Sequence, residues 1–168
     1  MQFDKTISGR VVTPLKVIDN GCIGIKSGKI AKVDKIENFS LSVNHSDFGN
    51  SFIFPGMIDG QTHSGSYLGF KGIESTSRSA ICGGITTIVD MPYDNPFPIT
   101  NIDLLREKIR AIKEFAICDI ALYGTILPGE GTSKVGRMID SGIVAIKVSS
   151  IENHPTRFPR IPSNEILS

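Results

Sequence analysis

Four short apolar runs, at residues 57–62, 85–91, 117–126 and 143–148, alternate with segments of helical spacing and limit what this chain can fold into. The second run, Ile-Thr-Thr-Ile-Val-Asp-Met, is β-branched and apolar on both parities. A strand of that kind needs cover on both faces, as in a parallel sheet. Between the runs, residues 101–115 place Ile102, Leu105, Ile109 and Ile112 at helical spacing, with Thr100 and Asp103 as a capping box at the start. Weaker helices are expected at 73–82 and 132–140, each followed by a glycine turn. Strand–helix alternation with short loops implies right-handed βαβ units.

Four such units fall well short of the roughly 250 residues of a closed eightfold α/β barrel, so the length fits about half of one. A small open doubly wound sheet is the alternative, although the Gly-x-Gly-x-x-Gly that often follows its first strand is missing. Residues 1–54 read differently. Asp19-Asn20-Gly21 and Ser27-Gly28-Lys29 are turn signals between short strands, with further strands at 5–12 and 51–54 and a polar loop at 38–50. The expectation is an α/β chain. A small antiparallel β domain, part of a sandwich, occupies 1–54, and the first four βα units of a TIM-type (β/α)8 barrel occupy 55–168.

The 18 basic and 17 acidic residues leave a net charge of +1 with no basic run, which gives no electrostatic case for nucleic acid or a membrane surface. The apolar runs are too short to span a bilayer, and the first residues lack the apolar centre of a signal peptide, so the chain reads as cytoplasmic. Cys22, Cys82 and Cys118 are odd in number and far apart. They are expected to be small buried apolar residues rather than a disulfide or zinc framework.

The chemistry is concentrated in residues 54–63, Phe-Pro-Gly-Met-Ile-Asp-Gly-Gln-Thr-His. Strand alternation puts Asp59, Gln61 and His63 on one face. With histidine at both 61 and 63 this would be half of a metal site; the first imidazole is replaced by an amide.

This stretch, with Ala80-Ile-Cys-Gly-Gly-Ile-Thr-Thr-Ile-Val-Asp-Met-Pro92, Gly142-Ile-Val-Ala-Ile-Lys147 and the tail Arg157-Phe-Pro-Arg-Ile-Pro162, resembles the amidohydrolase superfamily. The nearest branch is the cyclic-amide hydrolases: allantoinase, hydantoinase and dihydroorotase. The resemblance implies a β-sandwich beside an α/β barrel, with divalent, zinc-like metal at the C-terminal strand ends. It places His63 at the second histidine of Asp-x-His-x-His, Gln61 at the position of a missing histidine, and Lys147 at the carboxylated lysine that bridges two metals. A metal pair would activate water and polarise the amide carbonyl. Plain lysine is a cation, and carboxylation turns it into an oxygen ligand.

Asp59 is either a turn residue or a group that orients the imidazole. Asn95 is either a turn residue or part of a substrate-contacting loop. Arg157 and Arg160 either meet an anionic substrate or lie in a solvated loop, and the loop is the expectation. Where family members often carry an arginine to meet a substrate acid group, this chain has Gly65, which disfavours dihydroorotase. The later histidines and the catalytic aspartate of the family have no counterpart. The resulting expectation is the N-terminal part of a metal-dependent hydrolase of small cyclic amides, inactive alone. The alternative is a non-catalytic scaffold that has lost its metal ligands. Half a barrel leaves open strand edges, so a homo-oligomer is expected.

Overall fold

The computed structural model describes residues 2–166, and the chain divides into two compact units, Met1–Pro55 and Gly56–Ser168. In the first, β1 (Lys5–Val12), β2 (Val17–Lys26), β3 (Lys29–Lys35) and β4 (His45–Ile53) make one sheet in the order β3-β2-β1-β4. Ser27 and Gly28, at φ 52° and 72°, form the two-residue turn of the β2–β3 hairpin, whose strands close at Lys26 and Lys29.

Two expectations fail in this unit. The sheet is mixed rather than antiparallel, because β4 runs parallel to β1. The polar stretch expected as a loop to residue 50 is strand from His45 onward. Its polar side chains are paired across strands: Thr6 Oγ1 lies 2.9 Å from His45 Nδ1, and Ser8 Oγ donates to Asp47 at 2.7 Å. Thr6 and Ser8 on β1 are buried, so His45 and Asp47 serve as cross-strand hydrogen-bond partners, while residues 47–52 of β4 are exposed.

In the second unit β5 (Met57–Thr62), β6 (Ile85–Asp90), β7 (Asp119–Gly124) and β8 (Ile143–Ile146) are parallel and lie in sequence order. A doubly wound sheet would reverse its strand order at a switch point, so that alternative is excluded. The helices are α1 (Gly72–Cys82), α2 (Ile102–Phe115), α3 (Val135–Asp140) and a final turn α4 (Ser163–Ile166). Leu105 of α2 is buried with Ile99, Leu122, Met138 and Ile143, which pins α2 and α3 over β7 and β8. The α2 cap is Asn101 rather than Thr100. Its backbone is extended, and its side chain accepts from the N–H groups of Asp103 and Leu104 at 3.0 and 3.1 Å.

β5 and β8 are the sheet edges, and both expose apolar side chains: Met57 and Ile58 on one, Val144 on the other. Cys22 is buried as expected. Cys82, at the end of α1, is exposed and Cys118 is half-buried, so the expectation of three buried thiols is corrected for those two.

Candidate functional site

Parallel strands bring all their C-terminal ends to one side, and the loops there collect the chemistry. After β5 come His63, Ser64, Gly65 and Ser66; after β6, Met91 to Asn95; just past β8, Lys147. The alternation expected to align Asp59, Gln61 and His63 is broken. Asp59 pairs with Ile88 but Thr62 pairs with Asp90, so β5 carries one extra residue, a bulge that includes Gly60. Asp59 turns its carboxylate onto the Gln61 N–H at 2.9 Å. It lines, with Thr62, a shallow cleft beside Ser75 and Ser79 of α1. Asp59 is therefore a turn-stabilising residue within its own strand, and Gln61 is exposed.

His63 lies at the strand end with its ring edge-to-face against Tyr93. Ser66 Oγ gives its proton to the Tyr93 carbonyl at 2.7 Å and lies 3.3 Å from His63 Nδ1. That network assigns the ring proton to Nδ1 and leaves the Nε2 lone pair free. His63 is exposed overall, but the neighbouring residues take part of its hydration away, and that desolvation is the first cause lowering its pKa. Asp90 opposes that shift, and the cations Lys147 and Lys108 add to it. The imidazole is thus neutral at pH 7, the form a metal ligand needs. Lys147 is half-buried, its backbone N–H bonded to the Gly124 carbonyl at 2.9 Å, and it is close enough for its charge to act on His63.

Beneath these residues lies an ion cluster that the sequence reading missed. Lys108, fully buried on α2, places Nζ 2.7 Å from Asp90 Oδ2 and 2.8 Å from Asp94 Oδ2, and also donates to the Met91 carbonyl. The Ser64 backbone N–H donates to Asp90 Oδ1 at 2.8 Å, and its hydroxyl donates to Oδ2. One lysine thereby ties α2 to the loop after β6, and Asp90 ties that loop to the one after β5. The signal in the sequence is Lys108 standing three residues after Leu105 and four before Ile112, on the apolar stripe of α2.

Gly65 fits against this cluster. A Cβ built there would lie 2.1 Å from Asp94 Oδ1, a buried oxygen with no hydrogen bond of its own. Gly65→Ala is therefore expected to destabilise the fold by about 1–3 kcal/mol through overpacking, read from the urea midpoint. A midpoint equal to that of the unaltered protein would mean that Asp94 moves aside freely.

Asn95 joins the two loops: its N–H donates to the Gly65 carbonyl at 3.0 Å and its side chain to the Tyr67 carbonyl at 3.4 Å. Arg157, expected in a solvated loop, is instead seated. It donates to the Ser66 carbonyl at 2.6 Å and lies 4.9 Å over the Tyr93 ring. Among the described residues no three His, Cys, Asp or Glu side chains converge as a metal-holding group. His63, Gln61 and Lys147 together do not make a complete donor set.

No family model matches the chain. Over 88% of its length it is 30% identical to an allantoinase of Bacillus licheniformis, and over 83% it is 33% identical to an allantoinase of Arabidopsis thaliana. It is 31% identical over 98% of its length to an L-hydantoinase of Paenarthrobacter aurescens. These matches span 33%, 29% and 36% of the relatives, so the chain covers about a third of their length. The solved structure of an L-hydantoinase from Arthrobacter aurescens superposes on 98% of the chain with a TM-score of 0.88 and 30% identity, using 37% of that structure. A D-hydantoinase structure, 23% identical with a TM-score of 0.69, shares the fold.

Proposed function

Because the chain belongs to the amidohydrolase superfamily, in the branch of the allantoinases and hydantoinases, we propose that it is the N-terminal portion of a metal-dependent cyclic-amide hydrolase and lacks hydrolytic activity by itself. The single observation that supports this reading is that His63 and Lys147 follow the C-terminal ends of β5 and β8 in one parallel sheet, near enough for the lysine charge to act on the imidazole, with an amide at Gln61. The sequential parallel sheet supports a barrel origin for Gly56–Ser168. A metal bound there would supply an activated water and a polarised carbonyl. An amide oxygen is a neutral ligand, weaker toward zinc-like ions than imidazole, and a protonated lysine repels them.

What this chain's own residues do is local. Ser66 fixes the His63 tautomer, and the Lys108 cluster fixes the loops that carry both. The same reading gives a cytoplasmic chain that associates through its exposed β5 and β8 edges, with a small cyclic amide as the substrate of the full-length enzyme. No helix among the described residues is long and apolar enough to cross a membrane. Gln61 also favours a second reading, a scaffold descended from such an enzyme.

Zinc titration against a chromophoric chelator tests the proposal. The chain is expected to take up no stoichiometric zinc at micromolar levels, and Gln61→His to bind at least about tenfold more tightly, about 1.4 kcal/mol. Stoichiometric micromolar uptake by the unaltered chain would sink the idea that Gln61 cripples the site. In a longer chain carrying further barrel strands, Gln61→His separates the two readings by whether hydrolysis appears.

A further inference from the structure

A shallow cleft of about 360 Å³ opens where the loops after β5 and β6 meet residues 154–157, and no aspartate or glutamate lines it. Ser66, on its wall, is also the hydrogen-bond neighbour of His63, and Tyr93 meets both His63 and His154 edge-on. The cleft therefore adjoins the strand-end site.

Arg157 dominates it. One terminal nitrogen donates to the Ser66 carbonyl, and the guanidinium stacks over Tyr93, so its plane is fixed. Among the described residues Arg157 has no carboxylate partner. Asp94, the acid that feels its charge, is bonded to Lys108 instead. A guanidinium has five N–H donors, and a planar fork held in place with most of them unused is a receptor for a planar anion.

His154 adds a donor. Its Nδ1 accepts from the backbone N–H groups of Thr156 and Arg157 at 3.3 and 3.2 Å, which assigns the ring proton to Nε2. The Asn95 amide uses one proton on the Tyr67 carbonyl and has a second. One fixed positive charge flanked by neutral donors suits a monoanion with two coplanar oxygens better than a phosphate dianion.

We propose that Arg157, with His154 and Asn95, forms a carboxylate-binding subsite whose ligand is a ureido acid. Only the choice of ureido acid rests on the hydrolase reading, since opening a cyclic ureide at its amide yields a carboxylate on the same molecule. The subsite also places a cation near the substrate end of the sheet by a route other than the loop position occupied by Gly65.

The test is calorimetric titration of the 168-residue chain with N-carbamoylglycine and with N-carbamoylglycinamide, its uncharged counterpart. The acid is expected to bind at least about tenfold more tightly than the amide, and to weaken as salt rises from about 0.05 to about 0.5 M. Arg157→Gln is expected to lose at least about tenfold in acid affinity. Arg160→Gln, in the same segment but outside the cleft, is expected to leave it unchanged. Equal binding of acid and amide, full binding by Arg157→Gln, or no binding of the acid would each overturn the subsite. Should Arg157→Gln fail to fold, the Arg157 side-chain N–H resonance in the unaltered chain decides: it must shift with the acid and not with the amide. Acid binding without a zinc gain in Gln61→His removes the hydrolase reading and leaves the subsite; the reverse removes the subsite alone.

Discussion

Lys108→Met is expected to destabilise the protein by about 3–5 kcal/mol at pH 7, the cost of removing one partner from a buried ion cluster. Methionine nearly matches the volume of the lysine stem, so little of the loss comes from a cavity. What is lost is the ammonium that Asp90 and Asp94 share at 2.7 and 2.8 Å. Two buried carboxylates are then left facing each other, and one must take up a proton. The destabilisation should therefore be smaller at pH 5 than at pH 8. Urea denaturation followed by circular dichroism at the two pH values measures it. A loss below about 1 kcal/mol at pH 8 would show that packing of α2, and not the cluster, holds the loops after β5 and β6.

Asp94→Asn should change how stability depends on pH. The Asp94 carboxyl is pushed up to about 6, chiefly by burial; Lys108 opposes the shift, Asp90 adds to it and Arg157 opposes it. The unfolded chain titrates near 3.8, so between about 4 and 6 the folded state binds more protons than the unfolded state. The stability due to this group is therefore complete at low pH and is lost as pH rises through 6. A shift of about two units corresponds to roughly 3 kcal/mol at most. In Asp94→Asn that loss is absent, while Lys108 keeps a one-to-one pair with Asp90. The difference in unfolding free energy between pH 4 and pH 7 should thus differ between the two proteins by up to about 3 kcal/mol. Matching pH profiles would mean that Asp94 does not titrate in this window.

The parts of the fold that follow local periodicity were legible in the sequence. β6 and β7 carry apolar runs, and α2 carries the 3.6-residue stripe of a helix packed on one side. β4 was not legible, because its polar residues satisfy partners on β1 nearly forty positions away. The bulge in β5 escaped for a related reason. Gly60 hints at it, but only the pairing with β6 shows the extra residue. Thr100 and Asn101 are both good capping residues, and the backbone conformation chose between them.

At the candidate site, His63 and Lys147 could be located because strand ends can be located. Lys108 reads as an ordinary helix lysine until Asp90 and Asp94 are brought to it, and that proximity is a product of the fold. Arg157 likewise reads as a loop cation until Tyr93 is placed beneath it.

Gly65, the Asp90–Asp94 segment and Lys108 come from three separate stretches of chain, and Asp94 meets the other two. A side chain at 65 needs the oxygen of Asp94 to vacate its place. Losing Lys108 strands both acids. A change at Gly65 or at Lys108 is therefore felt first at Asp94. Any side chain placed at 65, an arginine included, is thus coupled to where the Asp94 carboxylate lies.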